Sequence, residues 1–97
     1  MSTQYDSEKI RLLARRIGSS ADAMSDVNSR SLNSIMNEIP NNFRGSAANA
    51  LEAAVDDLIA DVRAVTNNLR EIRSALNNLA SRVEAADKEA AALIKKA

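Results

Sequence analysis

The chain has 97 residues, room for one domain, with thirteen basic and thirteen acidic side chains and neither Cys nor His. Balanced charge speaks against nucleic acid as the main partner, because phosphate binding draws on a sustained basic excess; without Cys and His there is no disulfide and no ordinary zinc site. One Tyr, one Phe and no Trp leave an apolar content of Ala, Leu, Ile and Val, which suits helix seams better than an aromatic-anchored core or a strand-rich fold.

Met1 to Glu8 is polar and lacks the apolar stretch of a secretory leader. No run approaches the roughly 20 apolar residues of a membrane span. The first helix is expected from about Asp6 to Ile39. Its apolar positions are Ile10, Leu13, Ile17, Ala21, Met24, Leu32, Ile35 and Ile39, with polar Asn28 on the same stripe. The steps follow an eleven-residue rhythm, about 3.67 residues per turn, which gives little left-handed supercoil. Val27 lies beside Asn28, and a slip between two phases is expected there. Gly18 is an isolated breaker that a helix tolerates at about 1 kcal/mol.

Pro40 is expected to close this helix, because proline disfavours helical geometry in the residue before it. Asn41, Asn42 and Gly45 are turn formers, and Asn42 or Ser46 is a candidate cap for the next helix. That helix is expected from about Ser46 to Lys96. Its stripe reads Ala48, Leu51, Val55, Leu58, Val62, Val65, Leu69, Ile72, Leu76, Leu79, Val83, Ala86, Ala90 and Leu93, alternating steps of three and four. Such heptads mean a face turned to a partner helix. Flanking Ala47, Ala54, Ile59, Ala75, Ala80 and Ile94 widen it beyond a two-helix seam, towards a four-helix arrangement. The fold class is therefore all-α, a single hairpin domain over residues 1–97. Folding back around residue 42 or 43 sets residue 10 near 75 and residue 24 near 61. Helix 1 then runs out of coverage near Leu79, and residues 81–97 form a projecting tail.

The charges are polarised. From Asp22 to Val65 the net charge is −4; Lys9, Arg11, Arg15, Arg16, Arg70, Arg73 and Arg82 outweigh Asp6, Glu8 and Glu71 to make the opposite end +4. Two hairpins packed antiparallel would set each acidic tip beside the other's basic end, a complementarity that fixes register and speeds encounter. A lone two-helix hairpin buries one face only. An antiparallel dimer, with itself or a related chain, is the expectation. Its seam residues are Ile10, Leu13, Ile17, Met24, Leu32 and Ile35 on the first helix, and Leu51, Val55, Leu58, Ile59, Val62, Val65, Leu69, Ile72, Leu76 and Leu79 on the second.

At the turn, Phe43-Arg44-Gly45 followed by Ser46-Ala47-Ala48 resembles the Trp-x-Gly turn of the WXG family, the early-secreted-antigen-like substrates of type VII secretion. Length, two-helix layout and turn position extend the resemblance over essentially the whole chain. Phe43 stands where the family has Trp; it can still wedge between the helices but has no indole N–H. Gly45 keeps its role where the second helix begins, by close approach or positive φ. The resemblance also implies a secretion signal near the C-terminus, Tyr-x-x-x-Asp/Glu. Val83 and Asp87 match it, with Val in place of Tyr and both on one helix face. A related small hairpin, a secretion ATPase and a larger secreted effector are the implied partners. Export without a cleavable leader is the implied location.

Catalysis is not expected, for there is no His or Cys, no phosphate loop and no nucleophile elbow. Asp56, Asp57 and Asp61 read as helix-dipole acids at the start of helix 2, and their spacing fits no calcium loop. No cofactor or metal is expected. Two other readings fit parts of the sequence: an intracellular coiled-coil adaptor, from helix 2, and a membrane-active amphipathic helix, with Arg11, Arg15 and Arg16 at an anionic surface.

Overall fold

The structure, a computed structural model, describes residues 3–96. Helix α1 spans Thr3–Asp26, a π-helical turn Val27–Leu32, helix α2 Asn33–Asn42 and helix α3 Gly45–Lys96. Strong helix formers such as Ala, Leu, Arg and Glu fill α3 over 52 residues with no proline. The chain divides into two compact units: a terminal unit of Met1–Ser19 with Arg70–Ala97, and a turn unit of Ser20–Leu69. The all-α fold and the hairpin connection agree with the sequence.

The turn is shorter than expected. Pro40 lies inside α2, which continues to Asn42. Pro40 cannot donate the N–H that an α-helix would pass to the Met36 carbonyl, and the helix runs only two residues further before the Phe43 N–H closes it by donating to the Ile39 carbonyl at 2.9 Å. Asn42 does not cap α3. Its Nδ2 donates to the Glu38 carbonyl at 3.0 Å and so serves the end of α2. Among the described residues only Phe43 and Arg44 lie outside helices. Gly45 opens α3 with φ of +64°. A Cβ there would meet nothing within 4 Å, so the backbone angle and not close approach explains the glycine.

In the turn unit the two arms run side by side, with Asn28 Nδ2 donating to the Ile59 carbonyl at 3.0 Å. Leu32, Ile39 and Ala48 are buried. Thr66 is buried too, its hydroxyl satisfied by the Val62 carbonyl at 2.8 Å.

In the terminal unit α1 and α3 run antiparallel. Ser7, Ala14, Gly18 and Ala80 are buried. Arg11 Nε donates to Glu84 Oε1 at 3.0 Å, and the Ser7 side chain bonds the same carboxylate. Helix 1 therefore keeps partners beyond Leu79, as far as Glu84. The simple fold-back count fails because the arms are offset in register: even the short Ser7 side chain meets Glu84, where the count sets residue 7 near 78. The stem of Arg73 lies across Gly18, where a Cβ would stand 3.0 Å from its Cδ. Gly18 is a site of close approach, not merely a tolerated breaker.

Burial along α3 has a strict period. Ala48, Glu52, Val55, Ile59, Val62, Thr66, Leu69, Arg73, Leu76, Ala80, Val83 and Asp87 are all buried or half-buried, at alternating steps of four and three. One half of this row is the expected stripe. The other half lies one residue beyond Leu51, Leu58, Val65, Ile72, Leu79 and Ala86, which are exposed.

On the first arm the covered row is Ser7, Arg11, Ala14, Gly18, Ala21, Ser25, Asn28, Leu32, Met36 and Ile39. It too steps by four and three until Asn28, then takes two steps of four. The expected slip is thus concentrated in one place. A π turn carries more residues per turn than an α-helix, and it absorbs the extra residue. The gradual eleven-residue rhythm is replaced by a heptad with one interruption.

Candidate docking faces

Each arm has two apolar rows. The covered row on α1 is built of Ser, Ala and Gly, whose small side chains let the backbones approach closely. The larger residues lie one position over. Ile10, Ile17 and Met24 are half-buried, while Leu13, Val27 and Ile35 are exposed.

Helix α3 repeats the arrangement. In the turn unit Leu51, Leu58 and Val65 stand outward; in the terminal unit Ile72 and Leu79 do so. These five residues are 38–48% exposed and recur every seventh position. Scattered surface leucines are ordinary, but a heptad row of them is the pattern of a helix that meets another helix. Of the residues expected in the seam, Leu32, Val55, Ile59, Val62, Leu69 and Leu76 turn inward or are half-covered, and Leu13, Ile35, Leu51, Leu58, Val65, Ile72 and Leu79 remain on the surface. Ala21, expected on the stripe, is buried, whereas Ser7, Ala14 and Thr66 were missed as covered positions. Their signal was present as small residues at heptad spacing, masked by the larger apolar row beside them.

Phe43 does not wedge between the arms. Its backbone is extended at φ −135° and ψ 152°, and 47% of its surface is open. The two-residue turn leaves it outside the helical seam. Val83 and Asp87 are half-buried in the terminal unit. Between them Glu84 is held to Arg11, and its carboxyl lies below the ordinary carboxylate range. The Arg11 hydrogen bond is the chief cause, opposed by desolvation and aided by the Arg11 charge, Ser7 and Lys88. Ser81 continues this polar edge, accepting from Arg11 Nη2 at 3.3 Å and donating to the Asn77 carbonyl at 3.2 Å. Leu93 and Ile94 near the end of α3 are the most open large apolar residues of the described chain.

Asp56, Asp57 and Asp61 are exposed. They begin more than two turns after Gly45, too far for the helix dipole to explain them, since that field fades within the first turn. They are solvated acids. Among the described residues no group of acidic side chains is arranged to hold a metal ion. Among those residues also, no helix is long and apolar enough to cross a membrane.

Comparison with known families gives one match. The WXG100 family model, described as proteins of 100 residues with WXG, matches residues 2–88. No curated protein and no solved structure matches the chain.

Proposed function

The chain belongs to the WXG100 family, small helical substrates of type VII secretion, and from that premise we propose that it acts as a dimer. Its outward apolar rows meet those of a second helical hairpin. The observation that carries this reading is the heptad row Leu51, Leu58, Val65, Ile72 and Leu79, open to solvent on a helix whose adjacent row is already covered. Members of the family pair with related members. The polarised charges of this chain make a second copy the first partner to test, packed antiparallel so that acidic and basic ends face each other.

The dimer is the form presented to the secretion machinery, with the C-terminal segment of α3 as the signal that a secretion ATPase reads. Val83 and Asp87 are its proposed contact residues. Because both are half-buried beside Glu84 and Arg11, reading them requires the terminal unit to open or the receptor to approach from the exposed side. A larger secreted effector as a further partner follows from the family alone.

Sedimentation at micromolar concentration tests the dimer. Leu58→Ser together with Ile72→Ser is expected to leave helical content intact and abolish association. A folded parent that stays monomeric alone and with related hairpins from the same cells sinks the reading. Appearance in culture supernatant, lost on Asp87→Ala, tests the signal.

A further inference from the structure

We propose that Asn28 and the π turn around it are a register device that aims Ile35 at the partner, so that Asn28 determines the shape of the docking face without touching the partner. The proposal rests on the dimer reading and adds a residue to it.

The sequence of the first arm, taken as a plain heptad, continues the covered row from Asn28 through Leu32 to Ile35 and Ile39. A strict heptad of 3.5 residues per turn would turn Ile35 inward and Met36 outward. The structure does the reverse: Ile35 is 46% exposed and Met36 is half-buried. Leu32 and Ile39 are covered in either case, so the departure from the heptad is confined to 35 and 36, directly after the π turn of Val27–Leu32. The same departure governs the outer row. Met24 and Val27 are followed, at two steps of four, by Ser31 and Ile35. In a strict heptad that row would continue to Ser34 and Glu38 and would carry no apolar side chain near the acidic end. The device thus lengthens the outer apolar row of the turn unit by one large residue.

Asn28 is placed to hold this register. Its Nδ2 donates across the seam to the Ile59 carbonyl, the backbone group of a residue in the covered row of α3. Its Oδ1 is buried without a hydrogen-bond partner. A half-satisfied buried amide lowers stability, and the same sacrifice at a single seam position is a known means of fixing register in helical assemblies. Valine at 28 would fill the seam and restore the option of a continuous α-helix. The local sequence weakens the α alternative as well: Asn28, Ser29 and Ser31 are modest helix formers. Ser29 Oγ also donates to the Asp26 carbonyl, and Asn33 Nδ2 to the Ser29 carbonyl.

A double-mutant cycle on the full chain tests the proposal, with association measured by sedimentation over a concentration series. Asn28→Val is expected to raise or preserve the melting temperature while weakening self-association about tenfold. Ile35→Ser is expected to weaken association in the parent but to add little in the Asn28→Val background, because the residue has already left the interface. Parent-like association of Asn28→Val, or full additivity of the two changes, overturns the proposal. A second measurement works even for a monomer. The chain has no cysteine, so Ile35→Cys and Met36→Cys each carry a unique thiol. At dilution below association, the thiol at 35 should be modified faster than that at 36, and Asn28→Val should reverse the order. A parent that never associates but shows this order and its reversal refutes the dimer and keeps the register device; the opposite order refutes the device itself.

Discussion

The two units hold their arms together by different chemistry. In the turn unit the seam is closed by Leu32 and Ile39, with one buried amide at Asn28. In the terminal unit the seam is closed by Ser7, Ala14 and Gly18, with arginine stems across it and a carboxylate at its edge. Burying a leucine or isoleucine side chain contributes about 1.5–3 kcal/mol, whereas alanine and glycine bring little area of their own. The turn unit is therefore held by transfer of apolar surface, and the terminal unit by close approach and polar ties. Both units leave large residues outside their own seams, Leu13, Ile72 and Leu79 in the terminal unit and Val27, Ile35, Leu51, Leu58 and Val65 in the turn unit, but among the described residues only the turn unit fully buries large ones, Leu32 and Ile39.

The largest expected effect lies in the turn unit. Leu32→Ala removes the one large, fully covered side chain of the π turn and should cost about 2–5 kcal/mol in chemical denaturation. Hydrogen exchange should show the turn unit losing protection first. An equal loss in both units would mean that they unfold as one cooperative body, and the contrast between them would fail. Next in size is overpacking of the small-residue seam. Gly18→Leu forces the Arg73 stem aside and should destabilise by about 1–3 kcal/mol. Gly18→Ala should be far milder, because the displaced neighbour is a flexible side chain and alanine is the better helix former. Equal tolerance of leucine and alanine would show that the close approach is not a constraint. At the turn, Gly45→Ala places a Cβ on a positive-φ backbone and should cost about 1–2 kcal/mol with no steric contribution, since nothing lies nearby.

The same contrast explains what was legible in the sequence. Two long helices, a central turn and a face too wide for one partner follow from apolar spacing alone. The phase slip at Asn28 was visible as a polar residue on an apolar stripe. What periodicity did not reveal was which of two adjacent rows the chain keeps for itself. Sequence reading follows the large residues, so Leu51, Leu58, Val65, Ile72 and Leu79 appeared as one stripe with Val55, Val62, Leu69 and Leu76. The small side chains of the α1 row bring the backbones close, and α3 presents Glu52, Ile59, Thr66, Arg73 and Ala80 to that seam while the first set turns outward. Phe43 was misplaced for a related reason: an aromatic beside a turn suggests a plug, but Pro40 within the last helical turn shortens the loop and leaves the ring outside.

The smallest expected effect concerns the polar edge of the terminal unit and is best read through pH. Arg11 holds the Glu84 carboxyl below its ordinary value, so the folded unit binds that proton less readily than the unfolded chain does. The stabilisation is fully present above the unfolded value of about 4.3, and it is lost as pH falls through the lowered folded value. Both side chains are about two-fifths exposed, so solvent screens the pair and its contribution to global stability is small. The tie nevertheless joins the proposed signal segment to α1, and its local effect should exceed its global one. Hydrogen-exchange protection near Val83 to Asp87, taken relative to the intrinsic rate at each pH, should fall in acid for the parent, while Glu84→Gln should be less protected already at neutral pH and change less. If the variant instead retains parental protection and parental pH dependence, the segment is held by burial of Val83 and Ala80 alone. The terminal unit would then close by the same apolar chemistry as the turn unit, only with smaller residues.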